Sequence, residues 1–176
     1  NDRGDDHEPR LAEGGDEVEP VVGEVARMRE PPVGNALVEL GDLTGELHCH
    51  STWSTDARGT LEEMARTAKS RGYRFLCITD HSHYLRDGRL EAQWKEIDEL
   101  NARLKGFRVL RGIEANIRAD GSLDVDDESL AQLDWVVASL HTSFDKNPTE
   151  RILGVMDNPH VDCIGHLTGR KLNRRT

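Results

Sequence analysis

Five short apolar runs recur along this chain, and each closes on a residue type that binds metal. They are Gly45–His50 (GELHCH), Leu76–His81 (LCITDH), Val109–Glu114 (VLRGIE), Trp135–His141 (WVVASLH) and Val161–His166 (VDCIGH). Runs of this length and composition read as strands. Between them the apolar spacing changes to that of helices. Thr60 with Glu63 forms a capping box before an inward stripe of Leu61, Met64, Ala65 and Ala68, and Gly72 stops that helix. A second helix is predicted over about residues 89–105, with Leu90, Trp94, Ile97, Leu100 and Leu104 on one face and Gly106 at its end. Asp120-Gly121, between Ile117 and Leu123, marks a tight reversal. Short helices near Glu128–Leu133 and over Thr149–Asp157 flank the fourth strand. Strands alternating with helices predict a parallel α/β architecture.

The pattern is missing from residues 1–32, which are rich in acids, Gly and Pro and poor in large apolar side chains. Such a segment cannot bury enough surface to offset its ordering entropy, so it reads as an acidic tail or linker. A short helix over Val18–Met28 is limited by Pro20 and Pro31-Pro32. The compact domain is expected from Val33 onward. The tail's ten acids and four bases carry most of the formal −10, which leaves the globular part mildly acidic and unlike a protein that grips duplex nucleic acid by charge alone. A chain of 176 residues suffices for one domain. It falls short of the roughly 250 residues of a complete eight-strand barrel.

No apolar stretch approaches the ~20 residues of a membrane span. Together with the absence of an apolar signal segment at the start, this makes a cytoplasmic location the expectation. The three cysteines, Cys49, Cys77 and Cys163, all fall inside predicted strands and read as reduced, buried thiols.

Parallel strands of one barrel bring their carboxyl ends to one face, so residues far apart in sequence converge there. In the first run, period-two alternation points His48 and His50 to one side and Leu47 and Cys49 to the other. The convergent set is His48, His50, Asp56, His81, Glu114, His141 and His166. Imidazoles with a few carboxylates suit Zn, Mn or Fe(II). Glu114 is distinguished by its two oxygens, which can bridge two cations as a neutral imidazole cannot. Asp80 faces away from His81 and is expected to orient an imidazole. The basic segment Gly169–Arg175, including Arg170 and Lys171, is a candidate for holding a substrate phosphate. Ser51, Ser54 and Ser82 stand near the set without a His–acid arrangement of their own, so they are not expected to act as nucleophiles.

The ordered motifs ELHCHSTWS at 46–54, ITDHS at 78–82, GIE at 112–114, ASLH at 138–141 and IGHLTGR at 164–170 resemble the PHP (polymerase and histidinol phosphatase) family. The likeness is nearest to the PHP domain at the carboxyl end of bacterial family X DNA polymerases, and phrases such as Asp120-Gly-Ser-Leu-Asp124 add to it. The resemblance implies a distorted (β/α)7 TIM-like barrel, C-terminally incomplete here. It also implies a centre of two or three divalent cations that hydrolyses phosphoesters, with 3′–5′ exonuclease or 3′-phosphatase action on DNA ends and a polymerase domain as neighbour in the full-length protein. It assigns His48 and His50 to a first metal with Glu114, Asp56 and His81 to a second, and Glu114, His141 and His166 to a third. Glu114, His50 and Asp80 are the expected catalytic group. Thr55 stands between the Trp-Ser pair and Asp56, one residue more than that branch has. The family finishes the first two sites with an Asp and a His from a later strand, which do not occur before Thr176, so residues 1–176 alone are expected to hold at most one cation and turn over little. Two other readings share these residues: a small-molecule phosphatase of the histidinol-phosphate type and a non-catalytic structural module. Amidohydrolases that bridge metals through a strand-end Lys fit less well, because no strand here ends in Lys.

Overall fold

A computed structural model of the protein describes residues 37–167. The acidic segment 1–32, the Val18–Met28 helix, the domain start at Val33, and Arg170 and Lys171 lie outside them. Five strands follow one another, β1 Gly45–Cys49, β2 Phe75–Ile78, β3 Arg108–Asn116, β4 Trp135–Ser139 and β5 Cys163–Ile164. Four helices connect them, α1 Leu61–Ser70, α2 Arg89–Arg103, α3 Asp127–Leu130 and α4 Pro148–Met156. The strands pair in parallel in the order of the chain. All their carboxyl ends therefore open on one side.

The sheet is curled. In a flat sheet β1 and β5 would lie four inter-strand spacings apart, roughly 19 Å. The rings of His48 and His166, at the ends of those two strands, are instead 6.3 Å apart. The register shows how the curl arises: Arg108–Arg111 of β3 pair with β2, whereas Gly112–Asn116 pair with β4. That stagger is the shear that closing a barrel requires. The fold is thus an α/β half-barrel. Seven strands are expected from the resemblance, and five occur among the described residues.

Helices cover the convex face. Leu61, Ala65 and Ala68 of α1 and Ile97 and Leu100 of α2 pack on Leu76, Ile78 and Val109. Every residue of β2 is buried, as a parallel strand covered on both faces should be. The Thr60 capping box forms, with Glu63 N–H donating to Thr60 Oγ1 at 3.2 Å and Thr60 N–H to Glu63 Oε2 at 3.0 Å. Three residues clamp strand backbones by paired hydrogen bonds, Asn101 with its side-chain amide alone and Asp134 and Asp162 with a carboxylate oxygen and their own backbone N–H. Asn101 exchanges two hydrogen bonds with Val109, Asp134 does so with Arg111, and Asp162 with Val136. These acids begin strands and fix their register.

Several boundaries differ from the sequence expectation. β5 spans Cys163–Ile164 instead of Val161–His166, because Val161 N–H turns back to Asn158 and Asp162 is engaged with Val136. α3 ends at Leu130 rather than Leu133, and α2 ends at Arg103, leaving Leu104 half-buried. The reversal at Asp120-Gly121 forms as expected, with Gly121 at φ +87° and an antiparallel bridge between Ile117 and Leu123. The cysteines are free, but only Cys77 is fully buried; Cys49 and Cys163 are partly covered. Burial pushes the Cys49 thiol up to about 12 and Cys77 well above its ordinary value. No helix among the described residues is long and apolar enough to cross a membrane.

Candidate metal centre

Glu114 lies near the end of the longest strand and is 1% exposed, although it carries a carboxylate. Five imidazoles surround it. Oε1 faces His166 Nε2 at 2.8 Å and His141 Nε2 at 3.2 Å. Oε2 faces His81 Nδ1 at 2.9 Å, His50 Nε2 at 3.3 Å and His48 Nε2 at 3.4 Å. The two oxygens thus divide the histidines into two groups, those from β4 and β5 and those from β1 and β2. Asp56, in the loop after β1, reaches the cluster from the rim, with Oδ2 3.1 Å from His81 Nε2. The extra Thr55 does not prevent that approach.

β1 brings His48 and His50 together by a device that simple alternation does not foresee. Its register slips between Glu46 and Cys49, where three residues of β1 span two of β2. Such a bulge re-aims side chains next to a site. The N–H groups of Leu47 and His48 at the bulge donate to Glu46 Oε1, at 3.0 and 3.1 Å. Both imidazoles still point at Glu114.

Burial alone would raise the Glu114 pKa, but the facing imidazoles of His141, His48 and His81 outweigh it and hold the carboxyl far below the usual carboxylate range. For His81 burial works against the charged form, yet its contacts with Glu114 and Asp56 raise it above an ordinary imidazole. His50 is lowered, first by burial and then by the nearby charge of His81. The cluster therefore concentrates negative charge in Glu114 and spreads basic nitrogens around it.

Metal fits this arrangement. His50 Nδ1, His81 Nδ1 and His141 Nε2 are buried and make no hydrogen bond, which is costly for a polar atom unless another partner takes it. Among the described residues, three groups offer donor atoms within 4.8 Å of one another: His48, His50 and Glu114; His50, Asp56 and His81; and His81, Glu114 and His141. The first matches the grouping that the resemblance implied. The second adds His50 to Asp56 and His81, and the third contains His81 where His166 was expected. His166 remains against Glu114 Oε1 and is the most exposed of the five, at 45% of its side chain.

Asp80 departs from its expected place. It is fully buried, but its carboxylate accepts from Ser51 N (2.7 Å), Ser51 Oγ (2.6 Å) and Gln93 Nε2 (2.8 Å), not from an imidazole. It turns outward toward α2, which supplies Gln93, and toward the turn after β1, which supplies Ser51. It ties the turn after His50 to the helical layer. The serines are likewise engaged: Ser54 Oγ accepts from His81 N–H at 3.0 Å, and Ser82 Oγ donates to Asp124 at 2.7 Å. His83 is exposed, its ring 5.4 Å from His81 and 4.0 Å from Tyr84. Sequence reasoning overlooked Gln93, a polar residue next to Trp94 in an apolar stripe, and Asn116, two places beyond Glu114 and so on the same strand face.

The profile of the PHP domain family matches residues 46–166. The chain is 42% identical over 176 residues to the DNA polymerase/3′-5′ exonuclease PolX of Bacillus subtilis (strain 168), an alignment covering 95% of this chain and 29% of that protein. It is 34% identical over 130 residues to a probable phosphatase of Caldicellulosiruptor bescii, covering 70% of this chain and 54% of the relative. A probable phosphatase of Caldicellulosiruptor saccharolyticus is 36% identical over 132 residues, with 70% and 54% covered. The chain thus spans under a third of the polymerase and about half of the phosphatases.

Proposed function

Because this chain belongs to the PHP family, we propose that it forms the metal-holding part of a phosphoesterase acting on DNA 3′ ends, as a 3′–5′ exonuclease or 3′-phosphatase beside a polymerase domain. The observation that carries the reading is the division of imidazoles between the two oxygens of Glu114. A surface acid at a strand end has no reason to be buried among five histidines. A carboxylate bridging two cations does.

In this reading His48 and His50 with Glu114 would hold one cation, Asp56 and His81 a second, and Glu114, His141 and His166 a third. Zn or Mn suits the donors. Such cations supply Lewis-acid charge that stabilises a phosphoryl group under attack. The chain's own residues set the geometry. Glu114 fixes the spacing of the positions on either side of it, and His50 stands between two of the donor groups. Asp80 acts as a positioning residue through Ser51, immediately after His50. Arg170 and Lys171 add positive charge for the substrate phosphate. With Ser51 and Ser82 engaged as donors and Ser54 as an acceptor, attack falls to water. Further strands complete the (β/α)7 barrel, and the free thiols agree with a reducing cytoplasm.

Similarity over 95% of the chain to a protein named as a polymerase and exonuclease, against 70% for the probable phosphatases, favours the DNA-end reading over a small-molecule phosphatase. The test combines metal counting with phosphate release from a 3′-phosphorylated oligonucleotide and from histidinol phosphate, using a chain lengthened to the family's closing Asp-x-His. Glu114→Ala should lose bound Mn²⁺ or Zn²⁺ and the turnover together. Wild-type metal content and turnover in that variant would overturn the reading, and a preference for histidinol phosphate would overturn its DNA-end part.

A further inference from the structure

Behind His141 lies a second polar cluster that takes no part in the Glu114 contacts. Asn116 Oδ1 is hydrogen-bonded to His141 Nδ1. Asn116 Nδ2 donates to Asp124 Oδ2 at 2.7 Å and to Ser82 Oγ at 3.0 Å. Ser82 Oγ donates to both oxygens of Asp124, at 2.7 and 2.8 Å, and Asn116 N–H donates to Asp124 Oδ1 at 2.8 Å.

Proton counting leaves one arrangement. The Asp124 carboxylate only accepts. The Asn116 amide nitrogen must therefore face it, which forces Oδ1 toward His141. An amide oxygen also only accepts, so the proton between them belongs to His141 Nδ1. In the neutral ring Nε2 then carries a lone pair, and it is the buried atom 3.2 Å from Glu114 Oε1 that makes no hydrogen bond.

We propose that Asp124, acting through Asn116, locks His141 in the Nδ1–H tautomer and so presents its Nε2 lone pair to the metal centre. Asp124 and Asn116 are positioning residues: Asn116 touches the centre only through His141, and Asp124 only through Asn116 and Ser82. The lock explains why the chain inserts the Asp120-Gly121 reversal after β3. The antiparallel bridge between Ile117 and Leu123 brings Asp124 back beside Asn116, and Asp124 N–H donates to Asn116 O at 3.1 Å. Ser82, one residue after His81, joins the β2 end to the same carboxylate. The reversal thus works as a brace beneath one ligand.

The inference rests on the metal-centre reading for its consequence, but its first test needs no metal. Long-range ¹H–¹⁵N correlation on the metal-free chain, at a pH where the imidazoles are neutral, should show His141 protonated at Nδ1. In Asp124→Ala and in Asn116→Ala both tautomers should appear at His141 while His160 keeps its wild-type signal. Zn²⁺ affinity, measured by competition with a chromophoric chelator, should fall about 10–100-fold in both variants, as loss of a partner behind a ligating His typically causes. A wild-type His141 protonated at Nε2 would overturn the lock, and this result stands even if a variant fails to fold. Unchanged tautomer and affinity in folded Asp124→Ala would overturn it too. Absence of Zn²⁺ binding by wild type with the expected tautomer would instead overturn the metal-centre reading and leave the lock intact.

Discussion

Asp80 and Glu114 are two carboxylates at the same depth, 0% and 1% exposed, near the carboxyl ends of neighbouring strands, and their surroundings are opposite. Asp80 is closed by three donors from Ser51 and Gln93. Around Glu114 stand basic nitrogens, several of them without hydrogen bonds of their own. A buried charge must be compensated. Asp80 is compensated by the fold itself, whereas the Glu114 region is a set of basic nitrogens and a negative charge that cations would complete in the proposed centre. One carboxylate holds the structure, and the other stands where a ligand would bind.

Exchanging the roles gives the largest effects. Asp80→Ala strands three buried donors and should lower stability by about 3 kcal/mol, read from the denaturant midpoint of the metal-free chain. The same variant should keep a metal-induced rise in melting temperature. Glu114→Ala should lose that rise, which in a wild-type chain at a hundred times Kd reflects about 2.7 kcal/mol of added stability. Equal responses to metal in the two variants would erase the distinction.

A smaller effect separates the two halves of the centre. A Cβ on Gly165 would overlap Ser139 Oγ and come 2.9 Å from Val137 Cγ1, both in β4. Ser139 and Val137 are buried and cannot retreat. Gly165→Ala should therefore push β5 from β4 at a cost of about 1–3 kcal/mol and carry His166 away from Glu114. Metal affinity on the Oε1 side should fall while binding by His48 and His50 persists. Loss of both together would mean that the halves are not separable.

Much of this was legible in the chain because strand period and parallel winding are local and general rules. Five apolar runs ending in His or Glu were enough to place His48, His50, His81, Glu114, His141 and His166 at one mouth. The misplaced parts depend on partners remote in sequence. Asp80 was expected beside an imidazole because only its neighbour in sequence was visible, whereas Gln93 arrives from the next helix. The bulge in β1 leaves no mark that distinguishes GELHCH from a regular strand. Asn116 and Asp124 look like ordinary polar residues around a turn until the reversal folds one onto the other. β5 is short because the chain before it turns back at Val161, which apolar content alone does not reveal.

In the proposed centre Glu114 would bridge cations held by two separate groups of histidines. Anomalous diffraction from crystals soaked in Mn²⁺ or Zn²⁺ tests it most directly. The account predicts peaks on both sides of Glu114, one between Oε2 and the imidazoles of His48 and His50, and one between Oε1 and those of His141 and His166. Peaks confined to surface acids, or a Glu114 carboxylate that contacts no bound ion, would contradict it.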